Sequence, residues 1–235
     1  MGFLAPASRF ASRAVDMLDG PAPIRAFNGL TTTIRRWLYP GCSAQSIAPR
    51  FGLVMNQFHN RLKHISPEIV YSDGGFLAAD HSIVDLLKDK AGKSARRRCR
   101  LCFHADEHAA QQEMLIVMHR SSYVRPHRHF GKLETMTLIE GACDALLFDE
   151  AGAVTQVIPM TPAAEGGSFF YRMPDRLFHT LIFRSEWIVF LETTIGPFSR
   201  DMTETPEWAP PETDAAAGHA YLSGLALPEP SSAHP

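Results

Sequence analysis

The stretch Tyr123–Gly141, YVRPHRHFGKLETMTLIEG, places the strongest condition on how this chain can fold. His127 and His129 stand one residue apart, the period of a β-strand, so both imidazoles leave the same face while Arg128 points away. A polar bend, Phe130–Lys132, separates them from a second strand-like run, Glu134–Ile139. A hairpin across that bend would bring the Glu134 carboxylate beside the two rings. His179 stands far downstream, at the entrance to the apolar run Thr180–Phe183. Three imidazoles and one carboxylate make a mixed N/O donor set suited to one divalent transition metal: Fe, Mn, Ni, Co or Zn. They leave two positions open if the ion is octahedral. A lone histidine is more often structural, and the bland alternative for this group is a polar cluster lining a pocket without metal.

The flanking segments supply short strands to carry those donors. Apolar or alternating runs occur at Met114–Met118, Tyr123–His129, Glu134–Ile139, Ala142–Phe148 and Val154–Ile158. They continue at Ser168–Tyr171, Thr180–Phe183 and Trp187–Thr193. Gly141 and the turn Asp149–Gly152 offer hairpin-length loops, and residues 159–167 form a longer one. Many short strands joined by tight turns predict a mainly β chain folded as a jelly roll or small barrel. Ahead of them, Ser82 is a plausible N-cap for a helix through Ala91, with Gly92 at C′ and Ile83, Val84, Leu86 and Leu87 forming a buried stripe. Four regions result: a poorly ordered, proline-punctuated extension over 1–65, a helix and strand lead-in over 66–112, the barrel over 113–200, and an acidic Pro/Ala-rich tail over 201–235. Short helical turns are expected at 8–18 and 30–38. In the tail, Trp208 is placed to dock, followed by a short helix within Glu212–Leu222.

The order HxH, four residues, Glu, six residues, Gly resembles the first motif of the cupin superfamily, matched by His127, His129, Glu134 and Gly141. Pro174 and His179 match the second motif. Arg176 stands at its usual glycine, Phe183 at its usual asparagine, and Ser121 at the glycine that often opens the first motif. Ser94–Arg98, Tyr123–His129, Phe178–Thr180, Phe190–Glu192 and Gly196–Phe198 are similar to the WbuC-type branch of cupin-fold metalloproteins. The resemblance covers roughly Ser66 to Phe198. It implies a cupin double-stranded β-helix with a small helical N-terminal region, metal held by the four donors, and a link to surface-polysaccharide (lipopolysaccharide, O-antigen) metabolism. The ligand it implies is a small polar molecule, anionic or sugar-like. Both a metal-dependent enzyme, of isomerase or oxygenase type, and a non-catalytic binding or sensing module fit these residues.

Other side chains carry softer signals. Glu192 lies on the last long strand-like run, placed to act as a base or to hold a ligating imidazole. Tyr123 and Tyr171 are candidates for the cavity mouth, Tyr123 also for moving a proton, although tyrosine in a barrel more often packs. Arg97, Arg98 and Arg125 are candidates for gripping an anionic ligand, since a guanidinium fork matches carboxylate and phosphate. Read plainly, SARRRCR is a solvated strand edge.

Composition closes off other classes. A net charge of −2 and the lack of aromatics within SARRRCR argue against nucleic acid as a partner. No run approaches the roughly 20 apolar residues of a membrane helix. The four scattered cysteines suit a reducing, cytoplasmic setting. Cys99 and Cys102, three apart on an extended segment, face opposite sides and make a poor metal pair. No Walker loop, GxGxxG or GxSxG element occurs in the sequence. A homodimer is compatible with all of this.

Overall fold

The computed structural model describes residues 61–227. The expectations for 1–60, including both helical turns, lie outside the described residues, as do the last residues of the tail. Strand β1 (Lys63–Ser66) begins within residues 61–65, assigned above to the extension.

Strand-period burial folds the described chain into two facing sheets, a mainly β jelly-roll arrangement. One sheet has seven strands in the order β1, β2 (Ile69–Tyr71), β3 (Arg98–Cys102), β4 (Gln111–His119), β11 (Trp187–Ile195), β6 (Glu134–Glu140), β9 (Phe170–Met173). The facing sheet has the order β10 (Phe178–Phe183), β7 (Cys143–Phe148), β8 (Val154–Met160). A two-stranded pair, β5 (Arg128–His129) with β12 (Thr203–Glu204), joins them at one end.

Alternation along the strands divides the core in three. Met114, Ile116, Met136, Leu138 and Phe190 of the large sheet meet Cys143, Ala145, Met160 and Leu181 of the small one. On the other face of the large sheet, Cys99, Leu101, Leu115, Val117 and Val189 pack on Ile83, Val84, Leu87 and Ala91 of helix α1 (His81–Lys93). Each fully buried aliphatic side chain there contributes about 1.5–3 kcal/mol. Cys99 and Cys102 therefore sit on opposite faces, as their spacing predicts. The outer face of the small sheet, Leu146, Phe148 and Phe178, is covered by Trp208 and Leu225.

Several local expectations change. Helix α1 is capped by Asp80, whose own backbone is extended (φ −135°, ψ −174°) and whose carboxylate accepts from the Ser82 amide; Gly92 lies inside the helix and Ser94 ends it. Of Tyr123–His129 only Arg128–His129 is strand, since Pro126 has no N–H to contribute to a ladder. The predicted hairpin between the HxH pair and Glu134 does not form: β5 pairs with β12, and β6 pairs with β11 and β9. The bend at 130–132 instead crosses from one sheet to the other. Gly141 turns β6 into β7 with φ +80°, and a Cβ there would lie 2.2 Å from the Trp187 carbonyl oxygen. Arg176, at the usual glycine of the second motif, adopts φ +66° all the same.

Candidate metal centre

His127 and His179 face each other in an antiparallel bridge that exchanges both backbone hydrogen bonds, at 3.1 and 2.9 Å. That bridge puts the two imidazoles 4.5 Å apart between ring centroids, and His129 follows on the same face, 5.0 Å from His127. Arg128 points outward, where its guanidinium bonds Glu204 and Glu150 and lies over the Phe178 ring. Glu134 arrives from the opposite sheet at the start of β6. One ligand atom from each of His127, His129, Glu134 and His179 lies within 4.8 Å of the others.

The far side of each ring is held. His127 Nδ1 lies 2.9 Å from the Arg125 carbonyl, and His179 Nδ1 lies 2.9 Å from that of Leu177. A carbonyl only accepts, so both Nδ1 atoms carry the proton and both Nε2 atoms present a lone pair inward. His129 Nδ1 pairs with Thr203 Oγ1 at 3.1 Å. Tyr171 donates to Glu134 Oε1 at 2.9 Å, and Glu134 Oε2 lies 3.0 Å from His129 Nε2. His179 Nε2 is buried without a hydrogen-bond partner. Such an atom carries a desolvation cost that a bound cation removes.

Protonation agrees with that geometry. Burial, with His179 acting in the same sense, pushes the His127 imidazole down to about 3, and burial also lowers His179. Burial alone would raise Glu134, but the His129 hydrogen bond and the surrounding imidazoles hold it below the usual carboxylate range. Neutral imidazoles and an ionised carboxylate are the forms a metal requires. The residues fit a divalent ion of the first transition row.

A cavity of about 750 Å³ opens beside these donors, lined among others by Arg100, Lys132, Tyr171 and Glu192. The register sets Glu192 opposite Met136 and Glu134 opposite Thr194, making the two carboxylates diagonal neighbours on the inner face. Burial and the Glu134 charge push the Glu192 carboxyl up to about 8. None of the imidazole hydrogen bonds just described involves Glu192.

The remaining sequence candidates divide. Tyr171 reaches the centre. Tyr123 does not: it packs beneath the C-terminal segment against Gly218, with its hydroxyl donating to the Pro210 carbonyl at 3.1 Å. Arg97 turns away from the cavity and bonds the Gly92 carbonyl, because its φ of 55° diverts the chain just before β3. Arg98 lines the cavity, but both its terminal nitrogens engage Glu212, at 2.8 and 3.0 Å. Arg125 also lines it and bonds the Pro206 carbonyl. The sequence reading took Arg100 only as part of the SARRRCR cluster, without separating it from Arg97 and Arg98, and missed Lys132 and Thr203. For Arg100 a signal existed, since period two from Cys102 puts it on the inner face. Thr203 offered none, because only the β5–β12 pairing brings it to His129.

A family model described as a domain of unknown function (DUF6016) matches residues 79–160. No curated protein matches the chain. The solved structures similar to it include cupins. Oxalate decarboxylase from Bacillus subtilis is 20% identical over 52% of this chain and 32% of that one, with a TM-score of 0.35. A cupin 2 conserved barrel domain protein from Rhodopseudomonas palustris is 17% identical over 46% of this chain and 66% of that one, TM-score 0.36. A cupin-superfamily sugar phosphate isomerase from Silicibacter pomeroyi is 18% identical over 37% and 52%, TM-score 0.30. This chain thus spans about a third to two thirds of the length of these proteins.

Proposed function

We propose that this protein is a metal-dependent cupin that takes a small polar molecule into the cavity between its sheets and acts on it beside the His127, His129, Glu134 and His179 centre. One observation carries the reading: three imidazoles and a carboxylate from both sheets converge, with the buried Nε2 of His179 unpartnered. A divalent ion held there supplies Lewis acidity, or a platform for dioxygen if it is iron. The chain's own residues supply the rest. Tyr171 orients Glu134, and the carbonyls of Arg125 and Leu177 fix two of the ring tautomers. Glu192, raised to about 8, keeps its proton near neutral pH and can pass it to a ligand in the cavity as a general acid. Isomerase or oxygenase chemistry suits such a site.

The finer reading follows the WbuC-type resemblance at Ser94–Arg98 and Phe178–Thr180, which makes the ligand a sugar derivative of surface-polysaccharide metabolism. Free, buried Cys99, Cys102 and Cys143 support a cytoplasmic setting. Exposed Ile139, Phe169 and Phe170 beside the edge strand β9 support a homodimer. The test of the centre is metal analysis of protein purified without chelator or a nickel column. Wild type should carry about one ion per chain, and the combined His127→Ala, His129→Ala variant none. Full metal content in the variant would refute the site.

A further inference from the structure

Most cations on the cavity wall already have partners. Arg96 bonds Glu68 and Glu212, Arg98 engages Glu212, and Arg125 bonds a carbonyl; Arg200 lies exposed at the rim. Two are different. Lys132 is only 7% exposed, yet among the described residues it has no hydrogen bond and no carboxylate within 4.0 Å. Its ammonium lies over the Phe198 ring, 6.0 Å from the ring centre. Arg100 likewise has no carboxylate within 4.0 Å; it contacts the Cys102 thiol, and its Nε is buried without a hydrogen bond.

Both belong to the space beside the metal donors. Arg100 shares the inner face of β3 with Cys102, and Lys132 sits in the bend that crosses between sheets two residues before Glu134. Both lie close enough to Glu192 to act on its carboxyl electrostatically. With a divalent ion in place, the interior holds two side-chain cations and that ion against Glu134 and Glu192. Positive charge remains in excess even with both carboxylates ionised. Arg100 is half-buried with its Nε unpartnered, and Lys132 is buried with no carboxylate beside it, so both charges are left for a bound anion to pair.

We infer that Arg100 and Lys132 form an oxyanion subsite, gripping the carboxylate or phosphate of a small organic ligand whose other end faces the metal. The guanidinium fork suits bidentate contact with either group, and the ammonium adds a point charge. At about 750 Å³ the cavity falls in the usual range of small-molecule sites. It exceeds what an inorganic ion fills, so the complete ligand is an organic acid or a phosphate ester. The inference rests on the metal reading for the ligand's second contact only; the anion grip stands on Arg100 and Lys132.

The test is calorimetric titration of the metal-loaded full chain with malonate and with inorganic phosphate, for wild type, Arg100→Met and Lys132→Met. Wild type should bind at least one probe, and each variant should bind it at least about tenfold more weakly with unchanged metal content. Tighter malonate binding identifies a carboxylate ligand, and tighter phosphate binding a phosphate ester. The ligand-free variants should melt no lower than wild type, because neither loses an ion pair with a carboxylate. If Arg100→Met fails to fold, Arg100→Lys, which keeps the charge and loses the fork, replaces it. Absence of binding to either probe, unchanged affinity in both variants, or lower ligand-free melting temperatures would overturn the subsite. Failure of wild type to hold metal would count against the proposed centre instead, and the titration then proceeds on the metal-free chain.

Discussion

The Tyr171 hydroxyl holds one oxygen of Glu134 while His129 faces the other. Tyr171 sits opposite Met136, two residues along β6 from Glu134, so it reaches the carboxylate diagonally across the sheet. Tyr171→Phe removes that single hydrogen bond and keeps the ring. Metal affinity should fall by about tenfold or more, the usual effect of losing a partner behind a ligand, with little change in melting temperature. Competition with a graded series of chelators measures it, and affinity equal to wild type would show that Glu134 needs no such support.

The C-terminal segment is fastened by charge as well as by Trp208. Burial raises the Glu212 carboxyl, but hydrogen bonds and charge from Arg98 and Arg96 outweigh it and hold the group below its ordinary value of 4.5. A group with a depressed folded pKa stabilises the fold above its unfolded value, and that contribution disappears as pH falls through the folded one. Docking of the segment should therefore weaken as pH drops below about 4.5. Limited proteolysis around 205–212 across that range reports it. Glu212→Gln should already be cut faster at neutral pH and should flatten the dependence; an unchanged profile would assign the pH effect to other carboxylates.

Gly141 has no room for a methyl group. With φ +80° and the Trp187 carbonyl 2.2 Å from any Cβ, alanine meets both backbone strain and an atom that cannot swing aside. Gly141→Ala should cost about 2–4 kcal/mol, seen as a lower urea midpoint with an unchanged slope. A loss under half a kilocalorie would mean that the β6–β7 turn rearranges at little cost.

Position along the chain made much of the fold legible. Apolar or alternating runs located β6, β7, β8, β10 and β11 within a few residues, because a strand with one buried face alternates and one buried on both faces, as β7 and β10 are, reads as a short apolar run. Spacing alone put His127 and His129 on one face and sent Arg128 outward. It misread the path to Glu134, since a bend that closes a hairpin and one that crosses between sheets look alike in sequence. The N-cap of α1 shifted for a local reason: Asp80 competes with Ser82 as a cap, and both side chains suit the role.

The sequence by itself determined the four donor types, their order, and the strand pattern that turns them inward, since those follow from residue chemistry and local periodicity. Only the tertiary structure decided that His179 pairs with His127, that Thr203 holds His129, and that Tyr123 packs under the tail. It alone separated the arginines, leaving Arg98 to Glu212 and Arg100 to the cavity. Strand order and ion pairing join residues distant along the chain, and the free energy that selects them resides in contacts that no local pattern encodes.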